Sequence, residues 1–66
     1  MELNIKKIKF MMAVEGLSNR ALAEKSGLGE ATLNNWLNHG TKPRLDKIGS
    51  LAKGLGVPLT SIIVED

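Results

Sequence analysis

Apolar residues recur at helical spacing along most of the chain, and each apolar stripe stops near a glycine or a proline. Ile5, Ile8, Met11 and Met12 share one side of a first helix, with Lys6, Lys7 and Lys9 on its other faces. Asn4 can cap that helix and Gly16 can end it, which predicts Ile5 to Glu15. Ser18 can accept from the backbone N–H near Ala21 and open a second helix, Asn19 to Ser26, stopped by Gly27. A third helix is expected from Glu30 to Asn38, with Gly29 as N-cap, Leu33, Trp36 and Leu37 facing inward, and His39-Gly40 at its end. Thr41-Lys42-Pro43 is a linker, because proline fixes its own φ and turns the residue before it away from helical geometry. A fourth helix, Leu45 to Leu55, should bury Leu45, Ile48, Leu51, Ala52 and Leu55 before Gly56 closes it, and Pro58 should start a short last helix, Leu59 to Val64. The expected fold class is all-α, five helices in a single domain over residues 1–66, with no internal repeat or low-complexity stretch.

The segment from Asn19 to Trp36 is the most informative. Leu22, Leu33 and Trp36 can meet in one core, Ala23 is small enough for the next helix to cross close by, and Gly27 has no Cβ to oppose a left-handed corner. Two short helices folded across such a turn leave the outer face of the second, Glu30 to Asn38, almost entirely polar. That is the arrangement by which helix-turn-helix proteins enter the major groove of DNA.

Composition narrows the alternatives. A chain of 66 residues hides only about 60% of its unfolded surface, so a second copy would add useful burial. It has little room for a deep cleft with a supporting shell, which favours a binding surface over an enzyme; no cofactor and no small-molecule substrate are expected. Cysteine is absent, which excludes a disulfide framework and a thiolate metal site and fits a reducing cytosol. His39 alone cannot make a metal site and has no nucleophile or carboxylate partner in the sequence, so it is read as a loop residue. Met11 and Met12 are read as core filler. No apolar run approaches the roughly 20 residues of a membrane span, and no secretory signal is present, so a soluble cytoplasmic protein is expected.

The formal net charge is +2, from nine Lys and Arg against seven Asp and Glu. Its distribution matters more: Lys6, Lys7 and Lys9 crowd the first helix, Lys42 and Arg44 flank Pro43, and Glu65 and Asp66 form an acidic tail. The third helix carries no Lys or Arg. Affinity for a polyanion must therefore come from Lys6, Lys7, Lys9, Arg20, Lys42 and Arg44 with backbone N–H groups at helix N-termini, and should be salt-sensitive.

Taken together, Gly16-Leu17-Ser18, Leu22-Ala23, Gly27, Leu33, Trp36, Pro43 and Leu55-Gly56-Val57 resemble the signature of the Cro/C1-type (XRE) helix-turn-helix family of phage repressors and bacterial regulators, over nearly the whole chain. The resemblance implies a lambda-repressor-like domain. Position by position, it implies that Asn19 grips a phosphate where glutamine is more usual, and that Glu30, Ala31 and Asn35 sit where base-reading side chains sit. It also implies phosphate contacts at Thr32 and Asn38, and that Lys42 and Arg44 follow the backbone or enter the minor groove.

Two departures stand out. Many members pair an arginine late in the first helix with a glutamate late in the third, where this chain has Met12 and Leu37; exchanging both charges for apolar residues leaves no stranded ion, so Met12 is expected to touch Leu37. His39 stands where relatives usually have the left-handed glycine, which is displaced here to Gly40, so the turn into Pro43 is expected to differ.

The amide of Asn35 can donate and accept at once and so match adenine N6 and N7; Asn34 offers the same chemistry one step away. Glu30 fits two roles, accepting from cytosine N4 or complementing the positive end of its helix. Ala31 can meet a thymine methyl or serve simply as a helix former. Arg44 suits a narrow A·T-rich minor groove.

Pro58, Leu59, Ile62 and Ile63 exceed what a short terminal helix needs, so part of that surface is expected to bury a second copy, giving a homodimer on two half-sites about 34 Å apart. The function expected is a Cro-like phage or prophage repressor on a pseudo-palindromic operator. The rival is an antitoxin-like module that docks a second protein and binds DNA secondarily, for which the chain lacks the usual extra length.

Overall fold

Local caps set most of the architecture. The computed structural model describes residues 2–40 and 42–64; Thr41 of the linker and the acidic pair Glu65 and Asp66 lie outside the described residues. Asn4 accepts from the Lys7 N–H and starts α1, Ile5–Glu15. The Ser18 hydroxyl accepts from the Ala21 N–H at 3.1 Å and starts α2, Asn19–Ser26. α3 spans Glu30–Asn38 behind Gly29, and α4 spans Leu45–Leu55 behind Arg44. Gly16, Gly27 and Gly56 each end a helix at φ near +70°, a left-handed conformation that costs any residue with a Cβ.

The end of α3 differs. His39 keeps φ −122° and the left-handed residue is Gly40, at +67°. The sequence spares histidine the strained region by moving the glycine one place on.

Two expectations fail at helix ends and beyond. The described residues hold four α-helices, not five. Leu59–Ser61 is a single 3-10 turn, and Ile63–Val64 (β2) pairs antiparallel with Glu2–Leu3 (β1), with Leu3 opposite Ile63. Ile62, Ile63 and Val64 are all β-branched and favour extended backbone, and the N-terminal residues supply a partner edge. The Asn4 N–H, which precedes α1, donates to the Ile62 carbonyl at 2.8 Å and adds to this pairing.

Leu45 is the second failure: it is 57% exposed. It shares the stripe of Ile48, Leu51 and Ala52, which are buried. As the first residue of α4, however, its side chain tilts towards the helix N-terminus and projects past the packed part of the helix.

α2 packs chiefly on α4 and then on α3. Ile8, Leu22, Leu33, Leu51 and Ile62 are fully buried at the centre of one core that also holds Leu3, Trp36 and Ile63. Met12 and Leu37 both lie in this core. Ile62 is fully buried within the protomer, so it cannot belong to a surface offered to a second copy; of the expected dimer residues, Pro58 is exposed and Leu59 half-buried.

Candidate nucleic-acid interface

The interface is built on the corner between α2 and α3. Gly27 adopts φ +68° and donates to Glu24 O, while the Leu28 N–H reaches back to Ala23 O at 2.9 Å, which closes α2 and redirects the chain. Leu22, Ala23, Leu33 and Trp36 are buried behind this corner. Their burial leaves Glu30, Ala31, Thr32, Asn35 and Asn38 exposed on the far side of α3, with Asn34 half-buried.

Asn19 at the start of α2 joins Glu30, Ala31 and Asn34 around an open cleft of about 450 Å³. Asn35 does not line that cleft. It is exposed, and its amide has no side-chain hydrogen bond among the described residues. Gly29 gives α3 no side-chain cap, so the first-turn N–H groups of that helix have no capping oxygen, and Glu30 places a carboxylate at the same positive end.

Asn34 is tied. Its Oδ1 accepts from Asn38 Nδ2 at 2.7 Å and, at the long limit of 3.5 Å, from Asn19 Nδ2. Asn38 Oδ1 accepts in turn from Lys9 Nζ at 3.3 Å. A line of polar side chains thus runs from α1 along α3 to the start of α2. Sequence reasoning named all four residues but missed the connection; the one signal for it was the i, i+4 spacing of Asn34 and Asn38, which puts both on one face of α3.

The cations are solvent-facing. Arg20 pairs with Glu24 and Arg44 with Asp46, both at 3.4 Å and with all four side chains largely exposed. Such pairs contribute little to folding and exchange readily for another anion. Lys6, Lys7 and Lys42 are exposed. His39 is exposed at the end of α3.

Among the described residues no cluster of His, Cys, Asp or Glu could hold a metal ion, and no helix is long and apolar enough to cross a membrane. No curated relative and no solved structure gives a significant match. A family model described as helix-turn-helix matches residues 13–62, from late in α1 through α2, the corner, α3 and α4 to Ile62. With the glycine corner, the buried Leu22, Leu33 and Trp36 and the polar outer face of α3 inside that match, the chain belongs to the helix-turn-helix family of DNA-binding regulators, of Cro/C1 (XRE) type.

Proposed function

We propose that the protein is a sequence-specific transcriptional repressor of the Cro-like phage or prophage kind, which binds a pseudo-palindromic operator as a homodimer. The observation that carries this reading is the outer face of α3, polar apart from Ala31 and exposed apart from the half-buried Asn34, held on a helix whose other side is locked by Leu33, Trp36 and Leu37. A rigid helix with a free polar face can lie in the major groove without refolding.

In this reading Asn35 is the principal base contact, because its amide is unengaged and can meet adenine N6 and N7 together. Glu30, Ala31 and Asn34 contact neighbouring base edges. Asn19, Thr32 and Asn38 hold phosphates; the Asn19 and Asn38 amides each keep a second N–H after their bonds to Asn34. Arg20, Lys42 and Arg44 supply charge, with Arg44 directed to the minor groove. Pro58 and Leu59, the surface part of the terminal segment, supply the dimer contact.

The test is selection of binding sites from randomised duplex DNA at two salt concentrations, with wild type and Asn35→Ala in parallel. A two-fold-symmetric site whose preference relaxes at one position per half-site in the variant supports dimeric base readout. Binding without enrichment, lost uniformly with salt, would leave only backbone electrostatics and overturn the reading.

A further inference from the structure

The line of polar side chains that ends at Asn34 has a direction. A lysine ammonium carries donors and no acceptor. Lys9 Nζ therefore requires the oxygen of the Asn38 amide to face it, at 3.3 Å. With that oxygen committed, Asn38 presents its NH₂ group to Asn34, and Asn34 must answer with its oxygen, at 2.7 Å. Asn19 adds a second donor to the same oxygen. Asn34 Oδ1 is then engaged by Asn38 and, at longer range, by Asn19, which leaves the NH₂ group of Asn34, a residue that lines the cleft, without a side-chain partner among the described residues.

We infer that Lys9 is a positioning residue that fixes Asn34 as a donor-only group on the recognition surface. Asn34 and Asn35 then differ in kind although they share a side chain: Asn35 can donate and accept, whereas Asn34 can only donate. On the DNA-binding reading above, on which this consequence rests, Asn34 favours an acceptor-rich base edge such as guanine N7 and O6 and disfavours cytosine, which offers a donor. Lys9 touches no base, yet sets the sign of the readout.

The variants that test this reverse or release the direction. In Lys9→Glu the carboxylate only accepts, so the Asn38 amide turns over, its oxygen faces Asn34, and Asn34 turns its own oxygen outward. In Lys9→Met neither orientation is imposed. Lys9→Arg keeps a donor-only group and rescues the wild-type state. Lys9 is exposed, so all three are expected to fold.

The first readout is nuclear magnetic resonance of the free protein. Wild type and Lys9→Arg should show the Asn38 side-chain N–H protected from solvent exchange and coupled across its hydrogen bond to the Asn34 carbonyl, with the Asn34 amide protons exchanging freely. In Lys9→Glu the protection should move to Asn34. Identical patterns in wild type, Lys9→Glu and Lys9→Met overturn the inference without any DNA present. The second readout is site selection: at the position read by Asn34, Lys9→Glu should invert a roughly tenfold preference for guanine over cytosine, and Lys9→Met should flatten it. Wild type and all variants selecting the same bases would overturn the inference while the repressor reading stands. Wild type selecting no site would end that reading instead, and the resonance pattern alone would then decide the polarity of Asn34.

Discussion

Gly54 in α4 lies against Ser26 in α2 so closely that a methyl group at position 54 would overlap the Ser26 hydroxyl and stand 3.0 Å from the Ser26 Cα. Backbone cannot move aside as a side-chain tip can. α2 carries the N-terminal half of the recognition corner, and this approach is part of what holds it on α4. Alanine is the better helix former by about 1 kcal/mol, but overpacking a close crossing costs about 1–3 kcal/mol. Gly54→Ala is expected to lower the Tm by several degrees; thermal unfolding followed by circular dichroism checks it, and an unchanged or higher Tm would show that the helices can separate freely.

Gly49, five places earlier in the same helix, has open space where its Cβ would be. Only the helix preference then applies. Gly49→Ala should stabilise the protein by about 0.5–1 kcal/mol in urea unfolding. The opposite signs expected at two glycines of one helix separate packing from propensity, and a loss at both would refute the distinction.

The four α-helices were legible in the sequence because their signals are local. Asn4 and Ser18 cap within three residues of themselves, and Gly16, Gly27 and Gly56 take the left-handed conformation at the places where the apolar stripes end. The last segment was not legible in the same way. Whether Ile63–Val64 coils or extends depends on Glu2–Leu3, at the other end of the chain, and helical spacing carries no trace of that partner. Leu45 shows the limit of a stripe: periodicity gives the side of a helix but not whether anything covers its first residue. At the site, the positions facing outward could be read from spacing. That Lys9 meets Asn38 could not, because the two stand 29 residues apart and only the tertiary fold brings them together.

Ile62 belongs to the protomer core with no surface exposed. Ile62→Ala should therefore cost about 2–4 kcal/mol of folding stability whatever the protein concentration. Denaturation at several concentrations, with sedimentation to follow assembly, checks this. A variant with unaltered folding but weakened self-association would place Ile62 at an interface after all.

Lys42 and Arg44 can be tested by charge rather than by affinity alone. Removing one cation from a phosphate should reduce the slope of log K against log salt by about 1. Lys42→Gln and Arg44→Gln are expected to flatten the slope additively and to leave the selected bases unchanged outside any A·T-rich flank. The Arg44 pair with Asp46 is largely in water, so neither variant should shift the Tm by more than the small effect usual for a surface pair. An unaltered slope would remove both residues from the DNA backbone.

The pairing of Glu2–Leu3 with Ile63–Val64 spans a greater sequence separation than any helix packing among the described residues. α2 packs on α3, the next helix along the chain, and on α4, the one after it, whereas the strands meet only after a loop of nearly the whole chain has closed. Closure entropy grows slowly with length but must be met before the strand pairing returns anything. The small sheet therefore carries the largest loop-closure cost among these pairings. Because Leu3 and Ile63 also lie in the one core, the pairing ties both terminal segments to the packing behind the corner that carries Asn19, Asn34 and Asn35.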